Sequence, residues 1–137
     1  MHRANWSSAV KSCYLFSGAE RQSIEALADA SRVLKSSAGE TLFQTGDAAD
    51  GLRIVLSGLV RIWIADGEGH ELTLALMEPG DPFGEIALLD GLPRTANATA
   101  IERSDCLMLP CKAMEEVLAR DPSLARHLIQ LLCEFPQ

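Results

Sequence analysis

Eight of the ten glycines lie between Gly46 and Gly91, and they cut the middle of this chain into short apolar runs. Three such runs are Leu52 to Leu56, Leu59 to Ile64 and Glu71 to Leu76. Gly46-Asp47, Ser57-Gly58 and Asp66-Gly67-Glu68-Gly69 separate them as turns, where glycine supplies positive φ without steric cost. Short strands at regular spacing between Gly and Asp turns are the pattern of a closed or rolled antiparallel sheet. A second pair of strands is read over Asn97 to Ile101 and Ser104 to Leu109, with Ala98, Ala100, Leu107 and Leu109 as inward-facing groups.

Helical segments flank this β-roll, which spans 33–110. The first 30 residues read as helical, with Ile24, Leu27 and Ala28 forming one apolar stripe at three-four spacing. The run Cys13-Tyr14-Leu15-Phe16 packs before that helix, and Ser17-Gly18 breaks between them. Over 111–135 the chain is helical again, with one short helix over Cys111 to Leu118 and a second starting at Asp121-Pro122. Asp121 suits a helix N-cap and Pro122 the first helical position. Leu124, Leu128, Leu131 and Leu132 form its apolar stripe and Ile129 widens it, a face that calls for the barrel, another subunit, or both. The whole is mainly β with flanking helices, in one domain over 1–137.

Charge and composition narrow the function classes. A net charge of -7 with scattered Lys and Arg argues against direct nucleic-acid binding, which relies on clustered basic residues. Met1 to Phe16 holds no uninterrupted apolar segment, and no run approaches a membrane span, so a cytoplasmic protein without membrane insertion is expected. The four cysteines, Cys13, Cys106, Cys111 and Cys133, are irregularly spaced and read as buried small groups or free thiols.

One stretch carries chemistry: Phe83-Gly84-Glu85-Ile86-Ala87-Leu88, followed by Pro93-Arg94-Thr95-Ala96. Gly84 permits close backbone approach, and the first N–H groups of a helix starting there have no intrahelical partner, which makes an anion site. Glu85 can accept from hydroxyl donors but repels a bare phosphate, so hydroxyl and anion must sit at different points of one ligand. The Arg94 guanidinium can pair with a phosphate through parallel hydrogen bonds, and Thr95 adds a hydroxyl. The competing reading is structural: Glu85 and Arg94 pair on a surface for about 0–1 kcal/mol, and Phe83, Ile86 and Leu88 are ordinary core.

The pattern Phe83-Gly84-Glu85-Ile86-Ala87-Leu88-Leu89 with Pro93-Arg94-Thr95-Ala96 resembles the phosphate-binding cassette of cyclic nucleotide-binding domains. Gly46-Asp47, the Leu52 to Val60 segment with Gly58, and Pro79-Gly80-Asp81 extend the resemblance over roughly Phe16 to Leu132. It implies an eight-stranded jelly roll against flanking helices and a cAMP or cGMP ligand, with no separate cofactor, metal or catalytic residue. It further implies Glu85 as acceptor for the ribose 2′-hydroxyl and Arg94 as partner of the cyclic phosphate. Thr95 would touch the phosphate too, beside the backbone N–H groups of Gly84, Ile86 and Ala87. Leu72 and Leu74 would wall the base. Threonine at position 95 also leans slightly toward guanine. In the bacterial activator of this family a long helix after the barrel caps the base and pairs two subunits. Here the apolar run reaches only Cys133-Glu134, so the resemblance leaves base cap, dimerisation and output unassigned.

Three other classes compete. Catalysis through Glu85, Asp81 and Asp90 has no nucleophile or metal constellation behind it. His70 reads as a solvent-facing turn residue and His127 as a flank of the apolar stripe. A redox or gas sensor lacks clustered cysteines, and Trp6, Trp63, Tyr14 and Met108 read as packing rather than a cofactor box. An interaction module, or a sensor of another ligand, would keep the cassette without binding a cyclic nucleotide.

Overall fold

The computed structural model describes residues 4–84 and 92–134. Among them run α1 (Ala4–Ser12), a 3-10 turn (Tyr14–Phe16) and α2 (Arg21–Ala30). Eight strands follow: β1 (Arg32–Ser36), β2 (Thr41–Phe43), β3 (Gly51–Ser57), β4 (Val60–Ala65), β5 (Glu71–Met77), β6 (Pro82–Phe83), β7 (Asn97–Ala100) and β8 (Ser104–Pro110). Helices α3 (Cys111–Arg120) and α4 (Pro122–Glu134) complete the described chain. The expected roll with helical flanks is present, and every run read as a strand is one, with ends shifted by a residue or two.

The strands form two four-stranded sheets, in the orders β1-β8-β3-β6 and β2-β7-β4-β5, and each described pairing is antiparallel. Their facing sides enclose Phe43, Val55, Val60, Phe83, Ala98 and Cys106. The opposite side of the first sheet carries Leu52, Ile54, Leu107 and Leu109, which pack with Leu27, Met114, Val117 and Leu124 of the helices. Strands β3 and β8 are thus buried on both faces, which explains their near-continuous apolar sequence. Leu107 and Leu109, expected to face into the roll, face the helical layer instead. On β8 the residue that joins the cluster inside the roll is Cys106, with Met108 on the same face.

Tight turns hold these strands in register. Gly58 has φ of 99°, and a Cβ there would overlap Ser104 Oγ and the Arg103 carbonyl, so only glycine closes β3 to β4. In the β4–β5 turn the Asp66 carboxylate accepts from the Glu68 and His70 backbone N–H groups. His70 Nδ1 lies 3.0 Å from the same carboxylate, on the solvent side.

The helical layer is tied by one buried carboxylate. Asp121 accepts from the Glu20 N–H (2.8 Å), Ser23 Oγ (2.6 Å), Ser123 Oγ (2.7 Å) and the Leu124 N–H (3.0 Å). It caps α4 as expected and also fastens the start of α2. Leu124 and Leu128 are buried in the chain's own helical layer, whereas Ile129 stays 60% exposed. His127 is half-buried, with Nε2 2.9 Å from both Ser17 Oγ and the Tyr14 carbonyl, and so links α4 to the 3-10 turn. No helix among the described residues is long and apolar enough to cross a membrane.

Candidate functional site

Arg94 is held by its backbone before its side chain does anything. Its N–H donates to the Asp47 carbonyl and its carbonyl accepts from the Gly46 N–H, both at 2.8 Å. The Gly46-Asp47 turn, with Gly46 at φ 95°, therefore fixes the segment that enters β7. Asp47 closes that turn by accepting the Gln44 N–H at 2.8 Å.

From this anchor the Arg94 side chain runs inward and is only 3% exposed as a residue. Its guanidinium lies over the Phe43 ring, 4.1 Å from the centroid. Nη1 donates to the Gly84 carbonyl (3.0 Å), and Nη2 donates to the Gly51 carbonyl (2.8 Å) and to Asp50 Oδ1 (3.1 Å). Nε, equally buried, has no acceptor among the described residues. The planar guanidinium thus brings its positive charge to the wall of the roll.

Around it lies a cavity of about 220 Å³. Phe43, Ile62, Leu74, Met77 and Phe83 make the apolar part, and Gly84, Arg94 and Thr95 the polar rim. A larger hollow, about 680 Å³, lies between α1, the 3-10 turn and α2 and is lined by Ser7, Ser8, Lys11 and Arg21 among others. We place the site at the smaller cavity, because there, among the described residues, a buried charge with an unused donor meets an apolar wall. Among the described residues no three His, Cys, Asp or Glu side chains gather as a metal set.

Of the residues read from sequence, Gly84, Arg94, Thr95 and Leu74 line this one cavity. Thr95 is exposed at its edge. Leu72 does not line it; it stands on β5 opposite Ile64 and is 58% exposed, as Leu74 is 53% exposed. Glu85, Ile86 and Ala87 lie outside the described residues. Gly84 has φ of 87°, and a Cβ on it would overlap Arg94 Nη1. Gly84→Ala is therefore expected to cost about 1–3 kcal/mol of stability and to displace the guanidinium. Chemical denaturation measures the first effect and ligand titration the second.

Two residues of this site escaped the sequence reading. Asp50 joins Arg94 by Oδ1 and Arg53 Nη2 by Oδ2, each at 3.1 Å. Arg53 sits mid-strand in β3, 6% exposed, with its guanidinium 5.7 Å from the same Phe43 centroid. Burial pushes the Arg53 guanidinium below its ordinary value; Asp50 acts against that shift and the Arg94 charge adds to it. The one signal in the sequence is an arginine interrupting the apolar run Leu52 to Leu56.

Comparison with known proteins agrees with the fold and shows the family. The family profile described as "Cyclic nucleotide-binding domain" matches residues 33–121, and the chain belongs to this family. The chain is 32% identical over 118 residues to the CRP-like cAMP-activated global transcriptional regulator of Mycobacterium tuberculosis (strain CDC 1551 / Oshkosh), covering 86% of this chain and 53% of that protein. It is 39% identical over 94 residues to the cyclic AMP receptor protein of Thermus thermophilus, covering 69% and 44% respectively. The chain thus spans about half the length of the curated relatives it matches. Among solved structures, the sensor domain of the transcriptional regulator DNR from Pseudomonas aeruginosa superposes with a TM-score of 0.89. That similarity covers 96% of this chain and 88% of the other at 23% identity, and so speaks to the fold.

Proposed function

We propose that this chain is a non-catalytic, cytoplasmic sensor domain that binds a cyclic nucleotide, cAMP or cGMP, in the cavity beside Arg94. The observation that carries this reading is the buried Arg94 guanidinium, with an unused Nε donor, at the wall of an apolar cavity in a chain of this family. In this reading the cyclic phosphate pairs with Arg94 and touches Thr95 and the N–H groups of Gly84, Ile86 and Ala87. Glu85 accepts from the ribose 2′-hydroxyl. The base rests on Leu74, with Leu72 beyond it. Signalling requires that ligand bind one arrangement better than another. The parts expected to move are the cassette over 83–96 and the C-terminal helix α4, whose outer face could meet a second subunit or a partner protein.

One observation favours the alternative of an interaction module that binds no nucleotide. Arg94 already has three internal acceptors, as a purely structural arginine would. The two readings part on the sugar. Wild type titrated with cAMP and its 2′-deoxy analogue is expected to bind the analogue more weakly, by roughly tenfold or more, for one lost hydrogen bond to a charged group. Glu85→Ala is expected to erase that preference. Equal affinity for both compounds would overturn the role of Glu85, and binding of neither would favour the module.

A further inference from the structure

Arg53 is the unexplained group of this fold. It belongs to the strand whose neighbours Leu52 and Ile54 face the helices, and it points with Val55 into the roll. There it is surrounded by apolar groups: Phe43 under its guanidinium, and Phe83 opposite it in the β3–β6 register. Its Nε is buried without an acceptor among the described residues, as is that of Arg94. The two guanidiniums share a single carboxylate, one oxygen each. Among the described residues of this cluster, two cations and one anion leave a surplus of one positive charge. The neighbouring thiols do not offset it: burial holds Cys106 up to about 11, and it raises Cys111 as well.

A surplus buried charge is costly unless something uses it. We propose that Arg53 is a positioning residue for the anion site: it occupies half of Asp50, so that Asp50 does not neutralise Arg94, and a bound phosphate meets an uncompensated cation. This rests on the reading that the cavity takes a phosphate-bearing ligand. Arg53 acts through Asp50 and through its field. At an effective dielectric near 20, a unit charge at about 10 Å changes anion affinity roughly tenfold. On phosphate binding, Arg94 turns donors toward the ligand and Asp50 falls to Arg53, so the carboxylate never loses a partner.

Charge-balance variants test this. Arg53→Met and Arg53→Gln are made in parallel, so that a folded neutral variant is in hand, with Arg53→Lys as the charge-keeping control. Calorimetric titration with cAMP and cGMP is expected to show a loss of roughly tenfold in the neutral variants and little change in the lysine variant. Adding Asp50→Asn to the neutral variant restores the surplus charge on Arg94 and should recover most of the loss. A role limited to filling the roll gives no such recovery. Unchanged affinity in the neutral variants, or a loss that Asp50→Asn does not recover in folded protein, overturns the proposal. If wild type binds neither nucleotide, the sensor reading fails on its own. The same variants are then titrated with inorganic phosphate while the Arg94 Nε–H resonance is followed by NMR. The same order of affinities supports the role of Arg53, and a resonance that phosphate does not move in wild type overturns it.

Discussion

Arg94→Ala is expected to weaken cyclic nucleotide binding by about 2–5 kcal/mol, roughly 30- to several-thousand-fold. The phosphate would lose the buried cation that pairs with it directly, in a setting where water cannot replace it. The same change also acts on the folded protein. It removes the donor from the Gly84 and Gly51 carbonyls and opens space over the Phe43 ring. A stability loss of about 2–4 kcal/mol is expected for these unmet acceptors and the broken pair with Asp50. Arg94→Lys separates the two effects. Lysine keeps the charge but lacks the planar fork that reaches two carbonyls and a carboxylate together, so its affinity should fall between wild type and alanine. Calorimetry on protein verified as folded reads the order directly. An alanine variant that binds as tightly as wild type would remove Arg94 from the phosphate role.

The second large effect lies away from the cavity. Asp121→Ala is expected to destabilise the fold by about 3 kcal/mol or more, because four donors lose their acceptor at once and the carboxylate they share is fully buried. The damage spans the fold, since Glu20 and Ser23 begin α2 whereas Ser123 and Leu124 begin α4. The effect also has a pH signature. Burial by itself would raise the Asp121 carboxyl, but the hydrogen bonds from Ser23, Glu20, Leu124 and Ser123 outweigh it and hold the group well below its ordinary 3.8. A carboxyl lowered by folding stabilises fully above its unfolded value and loses that contribution as pH falls toward the folded one. Wild type should therefore lose stability as pH falls below about 4, and Asp121→Ala should show a flatter profile over that window. Urea denaturation at stepped pH measures both the offset and the slope. Parallel profiles for the two proteins would contradict this linkage.

Much of the fold was legible because glycine and aspartate mark its turns. Five strands stand out as apolar runs between them. Strands β1, β2 and β6 do not, for physical reasons: β1 carries Arg32 and Lys35, β2 has three residues, and β6 is Pro82-Phe83 alone. Periodicity needs more residues than the last two contain, so the count of eight came from the family resemblance. The facing of β8 was misread because a strand buried on both sides has no polar face to orient it. At the site, Gly84, Arg94 and Thr95 were legible as a motif and Leu74 through the family resemblance, and the four line one cavity. Asp50 and Arg53 were not, since an acid and a base three residues apart look like an ordinary surface pair. Only the packing of β3 against helices on one side and Phe43 on the other buries Arg53 and brings it, with Arg94, onto the half-exposed Asp50. Asp121 was half legible: its cap on α4 is local, whereas its hold on Glu20 and Ser23 crosses about a hundred residues of chain.

The most direct measurement of the central claim is a calorimetric titration of folded wild-type protein with cAMP and, separately, cGMP. Saturable one-site binding of at least one nucleotide is the expected result, with affinity lost in Arg94→Ala. Folded protein that takes up neither nucleotide at millimolar concentration would contradict the claim and leave Arg94 a structural arginine of the roll.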